Sequence, residues 1–176
     1  MSKNMKTNQE KLFNCILDTV LRIENNLKSI NSKGIFFAPE MHLAFEVGKE
    51  LFKKRIHIFG DNDIEWIREM NLGNGGPSDL ILQSENDTYV FEFKISDTWN
   101  SYERDIAKLK ALKTSGNNSF HKFFIALVDH FPGKKDGRLD FLENSDFTCL
   151  GSNSFSTKFS SYKSDVNCFL GVYQVE

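Results

Sequence analysis

Two apolar runs, Ser78–Gln83 and Thr88–Ile95, separated by the polar residues Ser84-Glu85-Asn86-Asp87, constrain the fold of this chain most. Short apolar runs rich in Val, Ile, Tyr and Phe, bounded by turn residues, read as paired strands. With a four-residue hairpin loop Gln83 faces Thr88, and counting back brings Leu80 opposite Phe91 and Asp79 opposite Glu92. Directly opposed residues share a face, and so does Lys94, two residues beyond Glu92. The other face carries Leu80, Leu82, Tyr89, Phe91, Phe93 and Ile95, which builds a core. A slip of one residue would separate the carboxylates, so the turn decides the geometry.

Opposed like charges destabilise a strand pair. Burial makes them costlier unless something compensates. Hard oxygen donors a few ångströms apart suit Mg²⁺, with Mn²⁺ as a substitute. Such an ion would activate water and neutralise charge developing at phosphorus. Lys94 would then orient the attacking water or steady the transition state. As a base it would need a lowered pKa. The plainer reading of Phe-Glu-Phe-Lys is an exposed amphipathic strand with solvated charges. The joint occurrence of Asp79, the hairpin, Glu92 and Lys94 favours a site.

Around the hairpin, residues 1–176 read as one α/β domain with a mixed sheet flanked by helices. A helix is expected over Gln9–Ser29, ended by Asn31-Ser32-Lys33-Gly34, and a second over Pro39–Lys54. In the second, Glu40 shares a face with Ala44, Val47 and Leu51, whereas Glu46 and Glu50 fall on the flank. Glu40 therefore joins the candidate site, with a first-turn glutamate favoured by the helix dipole as its ordinary reading. A strand is expected at Arg55–Phe59 and a short helix at Asp63–Met70, capped by Asp61 or Asp63. The loop Gly73–Pro77 gives clearance beside Asp79; it lacks the Lys-Ser/Thr of a phosphate-binding loop. A third helix is expected over Ser101–Thr114, with Asn100 and Glu103 as a capping box and Gly116 as its stop. A buried strand at Lys122–Val128 and two or three short strands between Phe147 and Val175 complete the order.

Charge and cysteine content narrow the setting. Twenty-two basic and 24 acidic residues give a formal charge of −2, which argues mildly against a nucleic-acid binder. Lys108, Lys110, Lys113, Lys134, Lys135 and Arg138 are candidates for phosphate contact, though solvated surface is the expectation for each. Cys15, Cys149 and Cys168 have neither zinc nor disulfide spacing and read as free thiols, two of them buried. The four histidines show no ligand spacing. No membrane span is expected, and the setting fits the cytoplasm.

Pro77, Ser78 and Asp79, followed by Glu92, Phe93 and Lys94, resemble the PD-(D/E)XK motif of the restriction-endonuclease-like nuclease superfamily. Ser78 separates Pro77 from Asp79. The resemblance covers about the central half of the chain, Pro39 to Val128. It implies a restriction-endonuclease-like core, a four-stranded mixed sheet flanked by helices. It also implies that Asp79 and Glu92 bind the metal, that the Phe93 carbonyl adds a ligand and that Lys94 is catalytic. Glu40 takes the place of the acidic residue on the preceding helix. The implied activity is Mg²⁺-dependent phosphodiester hydrolysis by an endonuclease acting on nucleic acid, DNA in the first instance, and a homodimer is admitted. Many members carry a Gln or another polar residue on the helix after the lysine strand. This helix offers Tyr102, Asp105 and Lys108 but no Gln, and the position stays unassigned. The rival reading is a silent nuclease fold that binds nucleic acid or a protein partner.

Overall fold

A computed structural model describes residues 7–113 and 118–176. Helix α1 spans Gln9–Asn31. The Asn8 side chain accepts from Lys11 N–H at its start, and left-handed Ser32 returns its N–H to Lys28 at its end. After a 3-10 turn at Ile35–Phe37, α2 spans Glu40–Lys53 directly behind Pro39. Their apolar stripes, including Leu12, Ile16, Val20, Leu43, Val47 and Leu51, are buried on one face of the sheet. Gly48 lets α2 approach closely. A Cβ there would lie 2.8 Å from Leu80 Cδ1 and 2.9 Å from Trp66 Cζ2.

The sheet has six strands in the order β1-β2-β3-β4-β6-β5. They are β1 Glu65–Ile67, β2 Leu80–Gln83, β3 Asp87–Ile95, β4 Ser119–His130, β5 Thr148–Thr157 and β6 Val166–Val175. Neighbours run antiparallel except β3 and β4, which are parallel. A parallel pair needs a crossover, and α4, Trp99–Lys110, lies in that connection. With α5, Gly137–Glu143, it covers the second face, where Val90, Phe124, Ala126, Val128 and Tyr173 form another core. The fold is thus mixed α/β, with helices on both faces.

The hairpin has the expected register. Gln83 pairs Thr88, and the ladder runs on to Leu80 opposite Phe91. Ser84 N–H closes the loop on the Asp87 carbonyl at 2.8 Å. Leu80, Leu82, Tyr89, Phe91 and Phe93 all enter the first core, as the alternation requires.

Four expectations are corrected. Arg55–Phe59 is helix α3, not a strand. Its Ile56 and Ile58 alternate, but Ile56 is 54% exposed, and the buried pair is Ile58 with Phe59. Gly60, at φ 75°, closes this turn. Asp63–Met70 is not a helix, because the free edge of β2 recruits Glu65–Ile67 as β1. Asp61 instead accepts from Asp63 N–H in a local turn. Asn100 lies inside α4 and forms no capping box, since Thr98 is the N-cap residue. The Asp97 carboxylate serves that end, taking Thr98 N–H at 2.7 Å and Ser101 Oγ–H at 2.6 Å. The tail forms two strands, within the expected two or three, but each is ten residues long rather than short, and α5 precedes them. The expected stop at Gly116 lies outside the described residues.

Candidate active site

Glu92 and Lys94 leave β3 on its α4 side, within a face otherwise given to core. Asp79 stands one residue before β2, so it is not a ladder partner of Glu92, contrary to the strict hairpin count. Its carboxylate turns inward and accepts the Phe93 N–H through Oδ2 at 2.8 Å. In a strand the N–H and C=O of one residue point to the same side. The Phe93 carbonyl therefore faces the gap left where β2 begins. Glu40, in the first turn of α2, reaches the same gap. Its Oε2 accepts from Ile95 N–H at 3.2 Å, and its Oε1 accepts from Lys94 Nζ at 3.1 Å. Glu46 and Glu50 pair with Arg22, Lys49 and Lys53 on the flank, as helical phase requires.

Two residues of α4 complete the cluster. Asp105 lies 2.9 Å from Lys94 Nζ through Oδ2. Lys108 Nζ lies 2.8 Å from Glu92 Oε1 and donates to the Pro77 carbonyl at 2.8 Å. Lys108 is thus not solvated surface: its side chain is only 14% exposed. The period of α4 placed Asp105 and Lys108 three apart on one face, which is the signal that could have found them. Tyr102, the third polar residue of that helix, packs edge-on against Phe124 in the core. Arg138 is also committed elsewhere, to Asp129 and Asp136. Lys110 pairs with Asp146.

The electrostatics follow from this packing. Burial raises the Glu92 carboxyl to about 7; Lys108 opposes the rise and the neighbouring Asp79 adds to it. Burial also raises Asp79, against the Phe93 N–H and the charge of Lys94. Glu40 is raised by burial too, despite Lys94. For Lys94, burial acts downward, but Asp105 and Glu40 outweigh it and hold the pKa above the ordinary lysine value. In this arrangement the Lys94 side chain is a cation rather than a free amine.

Among the described residues, no three His, Cys, Asp or Glu side chains are grouped as a ready metal cage. Lysines stand beside the carboxylates instead. The donor set nonetheless fits a hard divalent cation. Asp79, Glu92 and the Phe93 carbonyl supply oxygen alone. Glu92 Oε1 is buried and, although Lys108 Nζ lies 2.8 Å away, accepts no aligned hydrogen bond. A cation at Glu92 would require Lys108 to withdraw.

Beside the cluster, Asn74, Gly75, Gly76, Pro77, Arg104 and Lys108 line an open cavity of about 470 Å³. Gly75 and Gly76 hold φ of 107° and 151°, with nothing within 4 Å of an added Cβ. The space around Gly75 and Gly76 is therefore open, although Asp79 itself does not line this cavity.

Elsewhere Cys15 and Cys168 are buried free thiols and Cys149 is exposed. His121 pairs with Asp87 at 2.7 Å and stacks on Tyr89. Among the described residues no helix is long and apolar enough to cross a membrane. Comparison with protein-family models, curated proteins and solved structures found no match.

Proposed function

We propose that the chain is a Mg²⁺-dependent nuclease with a restriction-endonuclease-like core, cutting DNA in the first instance. The observation that carries this reading is the convergence of Asp79, Glu92, Lys94 and Glu40 at the gap where β2 begins. They come from three separated segments, beside a cavity open to solvent. The run α2, α3, β1, β2, β3, α4, β4 supports it, because it makes a four-stranded mixed sheet with helices on both faces. Asp79, Glu92 and the Phe93 carbonyl would hold the ion, and Glu40 would bind a second ion or orient a metal-bound water. When bound, Mg²⁺ would supply Lewis-acid polarisation of the phosphate and a more acidic water. Lys94, kept protonated by Asp105 and Glu40, faces the scissile phosphate and offsets charge that grows there. Lys108, released from Glu92, becomes a second cation at the same cavity.

Digestion of single-stranded, duplex and branched DNA, with RNA alongside, tests the proposal. Cleavage is expected with Mg²⁺ or Mn²⁺ and not with EDTA. Asp79→Ala and Lys94→Ala should each lower the rate roughly 10²–10³-fold, the usual cost of removing one transition-state contact. Unchanged activity in either variant refutes the assignment.

A second reading rests on the lysines. Lys94 and Lys108 neutralise the carboxylates without any metal, as a silent module that binds nucleic acid or protein would require. Calorimetric titration with Mn²⁺ separates the two. Absence of heat, together with absence of cleavage on every substrate, favours the module.

A further inference from the structure

The chain leaves β3 at Ile95 and enters α4 at Trp99, and here a second cavity opens, of about 610 Å³. Ser96, Asp97, Trp99, Arg138, Phe159 and Tyr162 line it. It lies beyond the carboxyl ends of β3 and β4, the parallel pair. Ligands of open α/β sheets collect in crevices of that kind.

Its walls are aromatic. Trp99 is 53% exposed, a large ring left uncovered at the start of α4. Across the cavity the Tyr162 ring is held edge-on by Phe131 at 5.0 Å and by Phe159 at 5.4 Å. Its hydroxyl donates to Asp129 Oδ2 at 2.8 Å, which fixes the loop between β5 and β6 to the end of β4.

The floor is polar but already satisfied. Asp129 also accepts from Ser96 Oγ–H at 2.7 Å and from Arg138 Nη1 at 2.8 Å. Arg138 spends its remaining donors on Asp136, the Asp129 carbonyl and the Asp97 carbonyl. No guanidinium donor is left for a phosphate, and the carboxylates of Asp97 and Asp129 repel one. Those acids are occupied by Ser101, Thr98, Arg138, Ser96 and Tyr162, so they do not call for a cation. A flat, uncharged ring that stacks is what the cavity admits. Ser96 itself holds φ at 50°, a costly conformation for a residue other than glycine, and such residues cluster at functional sites.

We propose that this cavity receives an unpaired nucleobase from the strand whose phosphate lies at Lys94. The inference rests on the nuclease reading for its neighbouring phosphate. The base would stack on Trp99 and Tyr162 while the backbone passes the carboxylate–lysine cluster. A strand engaged in this way is single-stranded, or has one nucleotide turned out of its duplex.

Fluorescence anisotropy in EDTA, where no cleavage occurs, tests it. The probes are a short labelled oligothymidylate and an abasic strand of the same length and charge. The base-bearing strand should bind roughly 5- to 150-fold more tightly, the range for one base stacked on an aromatic side chain. Trp99→Ala should erase that difference and Trp99→Phe should keep most of it. Because Trp99 is exposed, the fold survives the change, which circular dichroism checks. Equal binding of the two strands overturns the inference, as does a preference that persists in Trp99→Ala. A preference for bases in a chain that never cleaves keeps the base site and sinks the nuclease reading. Cleavage without any preference, or binding of neither strand, sinks the base site alone.

Discussion

Replacing Glu92 by Gln removes one buried charge and keeps the shape, and its effect on stability has a calculable pH dependence. Glu92 is 1% exposed, and its carboxyl is raised from an ordinary 4.5 to about 7. Below about pH 4.5 both the folded and the unfolded chain carry this proton. Above about pH 7 neither does. Between those values only the folded chain holds it, so unfolding releases a proton and stability falls as pH rises. Each pH unit in that window is worth about 1.4 kcal/mol, so the wild-type chain loses about 3 kcal/mol across it. The glutamine amide cannot titrate. The stability of Glu92→Gln relative to wild type should therefore climb by about 3 kcal/mol between pH 4.5 and pH 8. The climb is independent of any constant offset from changed packing or from Lys108. For a chain of this size it corresponds to roughly 6–12 °C in Tm. Urea unfolding in EDTA at several pH values measures it. A difference that stays flat within about 0.5 kcal/mol would show that Glu92 is ionised throughout and that burial does not govern the cluster. Under the nuclease reading, saturating Mg²⁺ adds a second arm. Ligand at 100 times its Kd contributes about 2.7 kcal/mol to the wild type at pH 8 and little to the variant.

The partner lysine gives the opposite sign. Lys108→Met strands the buried Glu92 carboxylate and should cost about 3 kcal/mol at pH 8, fading towards pH 5 as Glu92 takes up its proton; the same urea series reads it. Gly48→Ala gains about 1 kcal/mol in helix propensity but drives a Cβ to 2.8 Å from Leu80 and 2.9 Å from Trp66. It should therefore destabilise by about 1–3 kcal/mol in thermal melts, and a rise in Tm would show that α2 and β1 separate freely.

What the sequence made legible was local and periodic. The four-residue loop fixed the hairpin register, and the 3.6-residue phase of α2 separated Glu40 from Glu46 and Glu50. Arg55–Phe59 and Asp63–Met70 misled for one reason: each is short enough that its apolar spacing fits two periods. Tertiary demand decided them, since the end of α2 continued into α3 and the open edge of β2 drew in β1. Asp105 and Lys108 were visible as residues but not as members of the site. Their role depends on α4 lying over the face of β3 that carries Glu92 and Lys94, which is long-range packing. Asp79 shows the limit of register arguments at a strand end. Counting placed it opposite Glu92, yet the ladder stops at Leu80 and the carboxylate bonds the Phe93 backbone instead.

One topological fact ties the two cavities together. A parallel pair cannot be closed by a tight turn, so the chain must leave β3, run back along the sheet as α4 and return as β4. That path sets Asp105 and Lys108 over the polar face of β3. It also starts the helix at Trp99, just past the carboxyl end of the same strand. The carboxylate–lysine cluster and the aromatic cavity are therefore two ends of one crossover, and Ser96 lies between them with its left-handed backbone. A change that shifts α4 as a body should disturb both together, whereas Glu92→Gln and Trp99→Ala each touch one. If the two variants, tested singly and combined, give additive effects on strand binding, the sites contact the strand independently. Coupling above about 0.5 kcal/mol would instead mean that α4 transmits the occupancy of one cavity to the other.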